Sequence, residues 1–246
     1  MRSTLLHSRD WEELAAMDPL WAILSDPEKR FGKWQLEEFF RNGAEEIAQL
    51  MEKAGKLGLP RTKRRAIDFG CGVGRLTRAL RDHFPECHGV DISSSMVETA
   101  RRLSPACEFR QAANLESFTA GWADFIYSTM VLQHQPDPAS AARIIKDMLR
   151  VLAPGGLLVF QMPAHMKWRN RLQLRRRAYR LLHGLGLPHT FLYQRLKLNP
   201  IRMIALPQAE VEKIVAGEGS RVLKIEYIGD MKTAYLSGVY FCTKQA

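Results

Sequence analysis

From Arg65 to Gln161, short apolar runs alternate with segments whose apolar residues recur at helical spacing. Ala66-Ile67-Asp68-Phe69-Gly70, Cys87–Asp91, Cys107–Gln111, Ala123–Ser128 and Leu157–Gln161 read as strands. Between them, Arg75–Phe84, Ser93–Leu103 and Ala139–Val151 read as helices, with Ser93 placed as an N-cap. In the first of these helices Leu76, Ala79, Leu80 and His83 share a face. Ala153-Pro154-Gly155-Gly156 reads as a turn. The strands are apolar almost throughout, not alternating, which predicts an α/β fold with a parallel sheet covered by helices on both faces.

The flanks follow other patterns. Residues 1–60 read as a helical arm, with helix or turn starts at Asp18-Pro19 and Asp26-Pro27 and a helix within Lys33–Lys56 carrying Leu36, Phe39, Phe40, Ile47, Leu50 and Met51. Trp11, Trp21, Phe31 and Trp34 either pack this arm onto the body or form part of a lid over a ligand. The body, 61–246, carries an insert at 163–206, then a helix from near Pro207 to Gly217–Gly219. Two strand-like segments, Arg221–Ile228 and Ala234–Thr243, close the chain across Gly229-Asp230-Met231-Lys232, a turn short enough for an antiparallel pair.

Composition sharpens one of these regions. The 246 residues are 46% hydrophobic and 25% charged, which excludes disordered and collagen-like chains. The net charge is +10, yet Met148–Ala209 contains no Asp or Glu and 11 Lys or Arg, so the remainder is close to neutral. Within Lys167–Leu182, Trp168, Leu172, Tyr179 and Leu182 fall on one side of a helix and Arg169, Arg176, Arg177 and Arg180 on another, with Arg175 intruding on the apolar side. Three readings stand: a solvated cap, a selector of anionic acceptors, or a helix lying peripherally on an anionic membrane surface. Nucleic acid is disfavoured, because no recognised binding motif accompanies the charge. Cys71, Cys87, Cys107 and Cys242 show no metal or disulfide spacing. With no bilayer-length apolar run and no leader pattern at Met1–Trp11, the expectation is a cytoplasmic protein.

The chemistry gathers at Asp68-Phe69-Gly70-Cys71-Gly72-Val73-Gly74-Arg75, where a strand gives way to a helix. Glycines there admit positive φ and close approach of a ligand. A dinucleotide fingerprint counted from Gly70 needs Gly at position 75, where Arg75 stands. The spacing is GxGxG, with an acid two residues before it and a second acid, Asp91, ending the next strand.

This pattern, continued through Leu149–Gly156, resembles the class I S-adenosylmethionine-dependent methyltransferases. The resemblance implies a Rossmann-like, doubly wound and mostly parallel seven-stranded sheet with an antiparallel C-terminal strand, and S-adenosyl-L-methionine as cofactor. It implies that the Gly70, Cys71, Gly72 and Gly74 loop wraps the methionine end, that Asp68 accepts from its ammonium, and that Asp91 accepts from both ribose hydroxyls. Ile92 and Met96 would flank the adenine, with Asn114 and the Leu115 amide at its edge. Asp68 or Asp91 as a helix cap, and Met96 as plain core, are the competing readings.

Ser128 to Asp137, at the end of the fourth strand, should face the sulfonium and the acceptor. His134 there is a candidate catalytic base, or else packs or caps the helix beginning near Pro138. No metal is expected, since Asp137 alone does not make a cation site. The function read is methyl transfer to a small-molecule or lipid-linked acceptor, at oxygen, with an anionic acceptor as one option. The alternatives are an RNA methyltransferase and a non-catalytic S-adenosylmethionine-binding protein.

Overall fold

The structure, a computed structural model, describes residues 2–229 and 235–245. Seven strands form one sheet: β1 (Arg65–Phe69), β2 (Glu86–Asp91), β3 (Glu108–Gln111), β4 (Ala123–Ser128), β5 (Leu152–Met166), β6 (Ser220–Gly229) and β7 (Tyr235–Lys244), in the order β3-β2-β1-β4-β5-β7-β6. The pairs from β3 to β5 are parallel, while β7 runs antiparallel to both β5 and β6. The turn anticipated after Gly229 lies outside the described residues.

Alternation along the strands sets the two cores. In β4 and β5, Phe125, Tyr127, Leu157 and Val159 face one layer, packed on Ile47, Leu50 and Met51 of α3 (Leu36–Lys56) and Leu76 and Leu80 of α4 (Arg75–Leu80). Ile126, Leu158 and Phe160 face the other, packed on Ile144, Ile145 and Met148 of α6 (Pro138–Val151) and Val211 and Ile214 of α10 (Gln208–Gly217). The helix α5 (Ser94–Leu103) follows β2, and the Ser93 hydroxyl accepts from the Met96 amide at its start. The polarity of α3 suits its dipole, with Glu37 and Glu38 in its first turn and Lys53 and Lys56 in its last.

Strand order reverses between β1 and β4, so the loops leaving these neighbours part and open a crevice at their carboxyl ends. The arm lies over it, as α1 (Arg2–Met17) and α2 (Pro19–Ile23). Buried Asp18 organises this region: Oδ1 caps Trp21, and Oδ2 accepts from the Phe31 and Gly32 amides and the Tyr193 hydroxyl.

Two expectations need correction. Ala153–Gly156 is not a turn but the first part of β5, bulged where the register shifts between Pro154 and Leu157. The basic segment is not one helix. It breaks at Gln173 (φ 48°), whose side chain donates to the Met203 carbonyl, into α7 (Trp168–Arg171) and α8 (Leu174–Gly184), followed by α9 (His189–Gln194). Of the apolar face expected there only Tyr179 is buried, and Trp168 is 71% exposed.

Candidate functional site

The loop after β1 is held from two sides. The Gly70 and Cys71 amides donate to the Val90 carbonyl, and Asp91 accepts from the Gly72 amide at 2.8 Å and the Ser93 amide at 2.9 Å. Gly70 has φ 81°, and a Cβ there would stand 2.1 Å from Val131 Cγ2 on the loop after β4. A side chain at Gly72 (φ 52°) would meet Ile23 of α2 at 2.4 Å. The glycines thus leave a cradle that any side chain would fill.

The cleft beside this loop encloses about 860 Å³ of atom-free space, counted out to its open mouth. Asp68, Gly70, Cys71, Gly72, Asp91, Ile92 and Met96 line it together. Asp68 is buried against Thr77, whose hydroxyl donates to it at 2.7 Å, and burial pushes its carboxyl up to about 7. Burial likewise raises Asp91, against the pull of its backbone hydrogen bonds.

The remaining candidates lie elsewhere. Gly74 is outside the lining, at the N-cap of α4. Ser128 is wholly buried in the sheet opposite Phe160, its Oγ without a hydrogen-bond partner among the described residues. Its neighbours Thr129, Met130 and Val131 line the cleft instead, Met130 in the left-handed region at φ 56°. The Leu115 amide donates to Asp147 Oδ2 and its side chain is core, so it offers nothing to the cleft. Asn114 lines an adjoining depression and caps Glu116, while Ala112 and Ala113 form the cleft's edge.

His134 stands behind the cleft wall, its ring 5.4 Å from that of Trp11. Nδ1 lies 2.6 Å from the Arg202 carbonyl. A carbonyl only accepts, so the proton sits on Nδ1 and Nε2 keeps the lone pair. Burial holds His134 down to about 4, a neutral ring at physiological pH.

Arg75, Ile23 and Glu12 were not assigned to the site from the sequence, whereas Trp11 was read there as packing or lid. Arg75, noted there only for breaking a dinucleotide spacing, lines the cleft and is 1% exposed. It donates to Asn42 and to Glu46, whose other oxygen accepts from Tyr127, while its buried Nε has no partner among the described residues. Trp11 and Ile23 of the arm roof the cleft. Glu12 latches that roof, accepting from the amides and hydroxyls of Ser94 and Ser95. Burial opposes its charge, but these hydrogen bonds outweigh it and keep Glu12 below the usual carboxylate range.

Beside Trp11 and Gln135, two arginines share one carboxylate and a third lies close by. Arg180 and Arg176 approach Asp10 Oδ2 at 3.4 and 3.7 Å, and Arg202 donates to the Pro136 carbonyl. Burial, then the charges of Arg180 and Arg202, bring Arg176 down to about 10, against the pull of Asp10. The residues flanking this cluster, Trp11 and Gln135, are themselves cleft walls.

A glycine cradle, two strand-end acids and a switch-point crevice define a class I methyltransferase site. A family model describing a methyltransferase domain matches residues 37–199, two-thirds of the chain, and the protein belongs to that S-adenosylmethionine-dependent family. Trans-aconitate 2-methyltransferase of Azoarcus sp. (strain BH72) is 37% identical over 99 residues, covering 39% of this chain and 38% of that protein. The enzyme of that name from Methylobacterium radiotolerans is 35% identical over 133 residues, covering 53% and 46%. The chain thus matches about half the length, or less, of these relatives. Magnesium protoporphyrin IX methyltransferase from Synechocystis PCC 6803, solved with bound S-adenosylhomocysteine, shares the fold with TM-score 0.64 at 17% identity, over 99% of this chain and all of that one.

The residues fit the cofactor. Asp68 and Arg75 both line the cleft, an acid and a guanidinium complementary to the ammonium and carboxylate of an amino-acid end. Asp91 has acceptor capacity beyond its two backbone bonds. Among the described residues no helix is long and apolar enough to cross a membrane.

Proposed function

We propose that the chain transfers a methyl group from S-adenosyl-L-methionine to a carboxylate oxygen of a small, multiply anionic acceptor. The observation that carries this reading is the arginine cluster: Arg176 and Arg180 share Asp10, and Arg202 adds a third positive charge beside them. Burying like charges with too few counter-ions is costly unless an anion completes them. The names of the relatives, trans-aconitate 2-methyltransferases, point to the same acceptor chemistry.

When bound, the cofactor supplies a methyl carbon already activated by positive sulfur. In this reading Asp68 and Arg75 fix its amino-acid end, Asp91 its ribose, and Ile92 and Met96 its base. Trp11, Ile23, Met130 and Val131 exclude water from the line of displacement. An ionised carboxylate acceptor has no proton to lose, so no general base is required. Neutral His134 then acts by position, bracing Trp11 and the Arg202 backbone. Residues 1–60 serve as a lid arm, and 61–246 as the catalytic body with its selecting insert.

The test is label transfer from methyl-labelled cofactor to a panel of unsaturated di- and tricarboxylates and their neutral amides. Transfer confined to the acids is expected. Arg176→Met or Arg202→Met should lower kcat/KM by roughly 10- to 100-fold, the loss of one charge-assisted hydrogen bond. Equal transfer to the amides, or label entering only an RNA fraction, would refute it.

A further inference from the structure

Next to the Asp10 cluster, α1, α8 and α9 bring together three metal-ligating side chains that methyl transfer does not use. Glu13, His183 and His189 each offer one ligand atom, and these atoms lie within 4.8 Å of one another. All three residues are half-buried. Glu13 Oε2 is 3.2 Å from His189 Nδ1. A tetrahedral ion about 2.0–2.1 Å from each donor sets its ligands about 3.3 Å apart, so this edge is already formed. The two imidazoles lie 3.8 Å apart between centroids, a separation at which two cationic rings would repel. Neutral rings are the form that binds metal.

The outer contacts also suit ligation. His183 Nδ1 lies 3.1 Å from the Leu187 carbonyl, which fixes the proton there and leaves the Nε2 lone pair for an ion. Glu13 gives Oε1 to Arg9 at 3.0 Å, leaving Oε2 turned to the histidines. The Tyr179 hydroxyl sits against the ligand atoms themselves, 2.5 Å from His189 Nδ1 and 3.3 Å from Glu13 Oε2, the place of a fourth group around an ion. The bonds to the Leu187 carbonyl and to Arg9, made through the atoms that do not face the ion, are of the kind that orient the ligands of metal sites.

We propose that Glu13, His183 and His189 bind one divalent transition ion, zinc by the character of the donors. The fourth corner falls to water or to the Tyr179 hydroxyl. Glu13 lies two residues beyond Trp11 on the arm, whereas both histidines belong to the insert, so the ion clamps the cleft's roof to the acceptor side. It is a structural clamp and takes no part in methyl transfer.

The experiment uses tag-free, full-length protein stripped by chelator and reloaded with Co²⁺. One equivalent should enter per chain, with the visible bands of tetrahedral cobalt, and Zn²⁺ should displace it. The double variant H183A/H189A should lose uptake while still binding S-adenosylhomocysteine. The near-isosteric E13Q should bind ~10-fold or more weakly. Zn²⁺ should slow tryptic cleavage of the arm in the wild type and not in the double variant. No stoichiometric uptake by folded wild-type protein, or uptake unchanged in H183A/H189A, overturns the site.

Discussion

The carboxyl of Asp68 makes cofactor binding pH-dependent in a way that can be worked out in advance. Burial holds this group at about 7 instead of 3.8 in the unliganded protein. An ammonium partner needs the carboxylate, so binding must be coupled to loss of that proton. One unit below the raised value, about a tenth of the sites are ionised, and affinity should fall about tenfold, ~1.4 kcal/mol, per further unit. Above about pH 8 the ligand's own α-amino group deprotonates and affinity should fall again. Calorimetry with S-adenosylhomocysteine should therefore trace a narrow bell between these limits. D68N should lose the acid limb and bind ~10- to 100-fold more weakly at the wild-type optimum, the cost of one charged hydrogen bond. The same titration has a signature in stability. Because the folded value exceeds the unfolded one, this group's stabilising contribution is complete below about 3.8 and is lost as pH rises through about 7. The unliganded protein should accordingly melt earlier as pH rises across that window, with Asp91 acting in the same direction. A flat affinity profile in the wild type, or the same acid limb in D68N, would refute the contact.

Three further outcomes follow from the cleft. Arg75→Gln removes the guanidinium from Glu46, which keeps the Tyr127 hydroxyl, and takes the positive charge from the cleft wall; cofactor Kd should rise ~10-fold or more by calorimetry, with circular dichroism checking the fold. Gly70→Ala places a Cβ at 2.1 Å from Val131 Cγ2 at a positive φ, so cofactor binding should be lost and the melting temperature lowered. Glu12→Gln weakens the latch on Ser94 and Ser95; stopped-flow release of a fluorescent cofactor analogue should accelerate several-fold, and an unchanged rate would separate the arm from cofactor exchange.

Much of the sheet was legible because its strands carry their own signal. Ala123–Ser128 is bounded as the sequence suggested, and Ser93 caps α5 through its hydroxyl. Legibility failed where distant partners overrode local chemistry. Pro154 and Gly155 look like turn residues, yet pairing of this stretch with β7 draws it into β5 as a bulge. The break at Gln173 has no local marker; its side chain is held by Met203, 30 residues away. The site divides in the same way. Its strand-end half, from Asp68 to Met96, follows from the spacing of glycines and acids. Its roof does not, because the link from Glu12 to Ser94 joins residues 82 apart, and no periodicity records such a pairing. Arg75 was visible as an anomaly but not as a cleft residue, since its burial depends on Asn42 and Glu46 of the arm.

The basic insert can now be divided by where its charges go, and this yields a test by salt. Arg175 gives its guanidinium to the Lys197 carbonyl and Arg177 is exposed, so both contribute mainly to the surface field. Arg176 is 87% withdrawn from solvent at its side chain, which is only 13% exposed, and lies with Arg180 and Arg202 around Asp10. Surface attraction fades once the Debye length falls from ~10 Å at 0.1 M salt to ~3 Å at 1 M, whereas partly buried pairs are screened much less. If the buried cluster selects the acceptor, KM should change only a few-fold across that range, and R177A should leave it unchanged while R176M raises it. If the insert instead acts as a field for a membrane or polyanion, KM should climb steeply with salt, and R177A should matter as much as R176M. That second pattern would remove the cluster from substrate selection and leave the insert's charge to a surface role.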